Sequence, residues 1–202
     1  MKELSTRARL ASLISKAWLN ANRLIIDVET TGLGEDAEIV EIAIINCGGE
    51  VILNTLVKPL KEIPEDATAI HGITNKMVEN APAWPEIHNQ IAELISNLGF
   101  ISYNVAYDVR LITQTAALYG LSVGDVDVDP LHDCAMQLFA EYIGCWDEHR
   151  NNFKRHKLTI AADVMGVEIK GQAHRASTDC LMTLDVIKGM AYANPKIHSR
   201  MR

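Results

Sequence analysis

Positive charge is in short supply in this chain. Its 202 residues carry 19 Lys and Arg against 26 Asp and Glu, a formal net charge of −7. A protein that coats nucleic acid nonspecifically needs a basic face, so the charge argues against that class. It does not argue against an enzyme that works on one nucleotide end through bound metal, because the ions supply the positive charge that the side chains lack. Long apolar runs are also missing, which excludes a membrane-spanning segment and points to a soluble protein. The stretch Met1–Asn22 has neither an apolar h-region nor a small-residue cleavage site, so a secretory signal is not expected and a cytoplasmic location is. Cysteine is sparse and irregularly placed, at Cys47, Cys134, Cys145 and Cys180, with no CxxC pair. In an intracellular protein that reads as four reduced, mostly buried thiols. A zinc site assembled from His132, Cys134, Cys145 and His149 matches no established ligand spacing. Internal repeats, low-complexity tracts and linkers are absent too. With 48% hydrophobic and 22% charged residues, the chain can bury one substantial core without disulfides or structural metals.

What is present starts with an amphipathic helix. Leu4, Ala8, Ala11, Ile14, Trp18 and Ala21 recur at three- and four-residue steps, so residues 1–22 form an N-terminal helical element that docks on the domain or on a second subunit. Residues 23–202 then make one domain. Strands are expected over Arg23–Glu29, Glu38–Cys47 and Glu50–Lys58, the last two joined by a tight turn at Cys47-Gly48-Gly49-Glu50. After Pro59, short helical turns are expected at Pro64–His71 and Asn75–Asn80, the second capped by Thr74, followed by a helix over Ala83–Leu98 with Pro85 near its start. A strand Phe100–Tyr103, a helix Ala106–Tyr119 and a strand Val126–Asp129 come next. Helices over Asp133–Tyr142, Leu158–Met165 and Ser177–Ala193 complete the chain, with Gly144 and Gly166 as stops. A β meander followed by alternating β and α elements predicts an α/β fold with a mixed sheet flanked by helices.

The chemistry begins at Asp27-Val28-Glu29, which closes the apolar run Leu24-Ile25-Ile26. Residues two apart on a strand face the same way, so the two carboxylates stand side by side. Like charges held that close are costly without a cation between them, and hard oxygen ligands suit magnesium or manganese. A lone D-x-E is nevertheless common, and is usually a solvated strand end. Two further acids sit where elements change. Asp108 follows Tyr103-Asn104-Val105-Ala106-Tyr107 at a strand-to-helix passage, and Asp179 lies five residues after His174 near the start of the last helix. Taken singly, each reads as a complement to a helix dipole, and His174 as a surface histidine.

Taken together, these residues resemble the DEDDh-type (DnaQ-like) 3′→5′ exonucleases, the group that contains the proofreading subunit of bacterial replicative polymerase, ribonuclease T and oligoribonuclease. Asp27-Val-Glu29-Thr-Thr-Gly-Leu resembles the first motif, Asn104-x3-Asp108 the second and His174-x4-Asp179 the third. Ile70-His71-Gly72-Ile73-Thr74 resembles the segment between the first two in the proofreading-like branch. The resemblance spans residues 24 to about 190. It implies an RNase H-like fold with a five-stranded mixed sheet and a central first strand. It also implies that Asp27, Glu29, Asp108 and Asp179 hold two divalent cations, Mg²⁺ or Mn²⁺, whose charge four carboxylates would roughly neutralise. Such a pair stabilises the attacking and leaving oxygens of an in-line displacement. His174 would be the general base, its ordinary pKa of about 6.5 leaving it neutral near neutral pH.

By the same resemblance, Thr30 and Leu33 meet the terminal nucleotide, Leu33 wedging against the last base, while His71, Asn104 and Tyr107 line that pocket. Without it, Thr30-Thr31-Gly32 are turn residues and Leu33 is one exposed apolar side chain. The expected reaction is removal of nucleoside 5′-monophosphates from the 3′ end of single-stranded nucleic acid, with DNA slightly ahead of RNA. Two rivals are a polymerase-tethered proofreading subunit and a non-catalytic binding module on the same fold. Retention of all four acids and the histidine speaks against the module, and the short stretch after the final helix against the subunit. A free-standing enzyme, or a homodimer joined through the N-terminal helix, is the resulting expectation. One departure is Tyr103, where many relatives carry histidine before the motif-two Asn. The densest basic run, Arg150, Lys154, Arg155 and Lys157, reads as a solvated loop or as a patch guiding the substrate strand.

Overall fold

Strand β1 (Leu24–Thr30) is the spine of the molecule, and both of its faces are covered. In the computed structural model, which describes residues 5–123, 132–168, 171 and 174–192 apart from the side chains of Asn97 and Leu98, a five-stranded sheet runs in the order β3-β2-β1-β4-β5. β1 pairs antiparallel with β2 (Ile39–Asn46), which pairs antiparallel with β3 (Val51–Leu56). On its other side β1 runs parallel to β4 (Phe100–Ser102), and β4 parallel to β5 (His132–Cys134). The expected mixed sheet with a central first strand, in an RNase H-like fold, is what the chain adopts.

The period-two alternation of β1 sorts its side chains between two cores. Leu24, Ile26 and Val28 face one helical layer, α4 (Trp84–Leu98) and α5 (Val105–Leu118), together with the fully buried Trp84, Ile91 and Leu111. Ile25 faces the other layer, α6 (Ala135–Ile143), α7 (Leu158–Met165) and α8 (Ala176–Ala191), where Phe139, Ala162 and Ile187 are fully buried. Asp27 and Glu29 continue the row of Ile25 beyond that core, which carries them to the end of the sheet beside α8. Two short helices, α2 (Glu65–His71) and α3 (Asn75–Val78), cover the remaining end with a small third core around Val40, Ile63 and Ile73.

Helix α1 (Thr6–Asn20) is capped by Ser5, whose hydroxyl accepts the Ala8 N–H at 3.1 Å. Its inner face of Ala8, Ala11, Ser12 and Ser15 is small enough for close contact with α6 and α8, and the Ser12 hydroxyl donates to the Ala191 carbonyl at 3.0 Å. Trp18 closes that seam. Leu4 and Val126–Asp129 lie outside the described residues.

Two differences from the sequence expectation are informative. The fifth strand is His132–Cys134, in a stretch where a helix was expected from Asp133, and α6 begins only at Ala135. His-Asp-Cys has little strand propensity; backbone pairing with β4 and the 2.8 Å ion pair of Asp133 with Arg23 hold it in place. A small hairpin, β6 (Trp146–Asp147) with β7 (Asn152–Phe153), also arises where a loop was expected, held by an edge-on Trp146–Phe153 contact and by Asp147 Oδ1 accepting the N–H groups of His149 and Arg150. All four cysteines are free thiols. Among the described residues, no helix is long and apolar enough to cross a membrane.

Candidate active site

Three of the four predicted carboxylates converge. Asp27, Glu29 and Asp179 each present an oxygen such that the three lie within 4.8 Å of one another, and among the described residues no other group of His, Cys, Asp or Glu does so. His132, Cys134, Cys145 and His149 therefore form no such cluster. Asp27 and Glu29 reach the site as same-face neighbours on β1, and Asp179 arrives from the first turn of α8. The close approach of α8 depends on Cys180, which is fully buried with its Sγ 3.6 Å from the Ile25 carbonyl and 3.5 Å from that of Ala43. A larger side chain there would lift Asp179 away from β1.

Asp108 stands beside this trio in the first turn of α5. Its buried carboxylate takes a short hydrogen bond from the Ser102 hydroxyl and another from the Val28 N–H, so the ends of β4 and β1 both orient it.

The electrostatics show what the cluster lacks. Burial, then repulsion from Asp108, Asp179 and Glu29, drives the Asp27 pKa well above the usual carboxylate value. Burial followed by Asp179 pushes Glu29 up to about 8. Burial lifts Asp108 to about 7 against the pull of its hydrogen bonds. Asp179 is also raised by burial, although the charge and the backbone N–H of His174 oppose the shift. Asp179 Oδ1 is buried with no hydrogen-bond partner. Four crowded acids with an orphaned buried oxygen fit a site for divalent cations, whose charge would keep all of them ionised.

His174 borders the same space. It sits just ahead of α8 with a left-handed backbone, φ 59°, and together with Asp179 lines a cavity of about 530 Å³ that also includes Asn104. Asn104 is exposed at the start of α5, free of any capping role for its side chain.

The loop after β1 is clamped by α5. The Thr30 hydroxyl donates to the Gly32 carbonyl at 2.8 Å and lies 2.8 Å from the Tyr107 hydroxyl, which reaches the same carbonyl at 3.2 Å. Arg110 reaches the carbonyls of Leu33 and Gly34 and lies 5.3 Å over the Tyr107 ring. A rigid loop thus holds out Leu33, which is 81% exposed. His71 has a different place from the one expected. It is buried, its Nδ1 accepts the Ile73 N–H at 3.0 Å and its Nε2 donates to the Thr30 carbonyl at 3.2 Å. With both nitrogens engaged inside the protein, His71 braces the end of β1.

Sequence reasoning missed Ser102, Glu41 and Arg175. Glu41, opposite Glu29 across the β1–β2 ladder, is 2% exposed and receives the Arg175 guanidinium and the Ala176 N–H. A single acid inside the apolar run Ile39-Val40-Glu41-Ile42 was the available signal.

Comparison with known proteins agrees with this geometry. A family model described as Exonuclease matches residues 24–187. The chain is 51% identical over 179 residues to the uncharacterized exonuclease CP81 of Escherichia phage 186, covering 88% of this chain and 92% of that one. It is 32% identical over 146 residues to a DNA polymerase III subunit epsilon-like protein of Rhodobacter capsulatus, but that match covers 68% of this chain and only 20% of the longer relative. The fold superposes on E. coli exonuclease I in complex with a dA16 oligonucleotide with a TM-score of 0.67 at 18% identity, covering 87% of this chain and 42% of that one.

Proposed function

This chain belongs to the DnaQ-like family of 3′→5′ exonucleases, and from that premise we propose that it removes nucleoside 5′-monophosphates from the 3′ end of single-stranded nucleic acid, with DNA the preferred substrate. The observation that carries the reading is the convergence of Asp27, Glu29 and Asp179 around the unpartnered Asp179 Oδ1, beside His174 and an open cavity. The preference for DNA draws on the dA16 strand held by exonuclease I and on the relative named as DNA polymerase III subunit epsilon-like.

Asp27, Glu29, Asp108 and Asp179 would hold two divalent cations, Mg²⁺ or Mn²⁺. When bound, the ions supply Lewis acidity at the scissile phosphate and offset charge on the attacking and departing oxygens. Ser102 and the Val28 N–H aim Asp108, while Glu41 and Arg175 hold α8 and with it Asp179. His174 takes the proton from the attacking water, and its neighbour Asp179 stabilises the resulting imidazolium. The clamped loop from Thr30 to Leu33 supports the terminal nucleotide. Leu33 packs against the last base, a contact that any base can make. Asn104 and Tyr107 contact the same nucleotide.

Matched end-labelled DNA and RNA strands incubated with Mg²⁺, Mn²⁺ or EDTA test this directly. Stepwise loss of 3′ nucleotides that needs metal and is faster on DNA is the expected result. Absence of metal-dependent 3′ shortening on both strands would overturn the proposal.

A further inference from the structure

The cavity lined by Asp179 and His174 is also lined by a basic segment to which the reaction above gives no part. Arg155 and Lys157 both line it, on either side of His156. His156 is turned inward. Its carbonyl accepts the Tyr103 hydroxyl at 2.8 Å, and its ring meets the buried Phe139 edge-on at 5.9 Å. The segment is tied at both ends as well. The Lys154 N–H bonds to the Cys145 carbonyl at 2.8 Å, closing the β6–β7 hairpin, and the Lys157 carbonyl accepts from Ala161 at 3.0 Å, starting α7. Tyr103, at the end of β4, thus fixes two exposed cations beside the carboxylates through the residue between them.

Neither Arg155 nor Lys157 has an ion pair among the described residues, whereas Arg150 in the same basic run lies 3.9 Å from Asp147. Two unspent cations held at the mouth of an acidic site, in a chain of net charge −7, form a local anion-attracting spot. On the exonuclease reading, with the scissile phosphate at the carboxylates, Arg155 and Lys157 stand on the wall of the same cavity as Asp179, where the rest of the strand would meet them.

We propose that Arg155 and Lys157 form a phosphate-binding pair for the single strand immediately 5′ of the scissile bond, with Tyr103 as the positioning residue that holds the pair in place. The inference rests on the exonuclease reading and extends it to the substrate's path. Contacts to phosphates read no bases, so the pair would serve any sequence.

Two substrates separate the possibilities: a single-stranded DNA decamer, and the p-nitrophenyl ester of thymidine 5′-monophosphate, which has a scissile phosphate but no strand beyond it. In the Arg155→Ala/Lys157→Ala variant, KM for the decamer should rise about tenfold more than KM for the ester. The slope of log KM against log salt should fall by about 1.4, roughly 0.7 for each lost phosphate contact on a single strand. Tyr103→Phe should raise the decamer KM in the same direction, with a smaller loss of salt slope and kcat largely kept. Equal effects on both substrates, or an unchanged decamer KM and salt slope in the double variant, would overturn the phosphate-binding role. Failure of the parent enzyme to hydrolyse the decamer with metal present would instead sink the exonuclease reading on which it stands.

Discussion

Glu41 accepts the Arg175 Nε at 3.0 Å and the Ala176 N–H at 2.9 Å, so a carboxylate of β2 closes the first turn of α8. Arg175, which occupies the cap position, has no side-chain capping bond of its own, and Glu41 supplies it from across the sheet. Because Asp179 and His174 sit within five residues of this joint, the pair sets the distance between α8 and the Asp27–Glu29 edge of β1. Glu41→Ala should cost about 3 kcal/mol, at the low end for breaking a buried pair because Arg175 is 31% exposed. Urea denaturation checks this. Activity should fall with it, and Glu41→Gln should recover part of both by keeping an acceptor for Ala176.

The crowded carboxylates predict an unusual pH profile for the metal-free protein. Glu29 is raised to about 8 and Asp108 to about 7, above the ordinary values that unfolded chains show. The folded state therefore binds more protons than the unfolded state between those limits, and these groups lower stability as pH rises from about 4.5 to 8. In EDTA, Tm should fall between pH 6 and pH 8. Mg²⁺ at about 100 times its Kd should restore about 2.7 kcal/mol at the upper pH. A flat EDTA profile across this range would contradict the charge balance described here.

Asp27→Asn removes the most crowded negative charge. At pH 8 in EDTA it should raise Tm by several degrees, where roughly 1 kcal/mol corresponds to about 2–4 °C for a chain of this size. The same change should lower exonuclease turnover about 100-fold or more, because the proposed metal site would lose a ligand. Calorimetry and a 3′-end assay on one preparation would show stability and activity moving in opposite directions.

His174→Ala should lower kcat by about 10²- to 10⁴-fold, the range for loss of a positioned proton acceptor, while metal affinity by calorimetric titration stays close to that of the parent protein. A variant that keeps parental turnover would remove His174 from the mechanism.

Leu33→Ala should leave stability within about 0.5 kcal/mol, since the side chain is 81% exposed and buries little. It should weaken binding of a 3′ end by about 1–2 kcal/mol if Leu33 packs on the terminal base, the size of a partly buried aliphatic contact at about 0.8 kcal/mol per CH₂. Fluorescence anisotropy with a 5′-labelled strand measures the difference.

Much of the fold was legible locally. The run Leu24-Ile25-Ile26-Asp27-Val28-Glu29 announces a buried strand whose two acids share one face, and the structure sets them there. Turn chemistry marked the β2–β3 connection, where Asn46 Oδ1 gathers the N–H groups of Gly48 and Glu50 and Gly49 takes a φ of 88°. The fifth strand was not legible, because three residues with little strand propensity are held by contacts distant in sequence, the pairing with β4 and the Asp133–Arg23 ion pair. The hairpin of Trp146 with Phe153 was hidden because each of its strands is only two residues long, too short for an alternation to show.

The sequence by itself determined the residue types, the periodicity that aligns Asp27 with Glu29, and the order of motifs that place this chain in its family. Tertiary structure alone decided which distant groups meet. It brought Asp179 to within 4.8 Å of acids some 150 positions earlier, turned His71 inward as a brace, set Glu41 under α8 and suspended Arg155 and Lys157 beside the cavity through the Tyr103–His156 bond. The physical reason is that propensity and alternation act over a few residues, whereas these contacts depend on how helices seat on a sheet. That seating is set by small side chains such as Cys180 and by polar pairs whose partners lie more than a hundred residues apart.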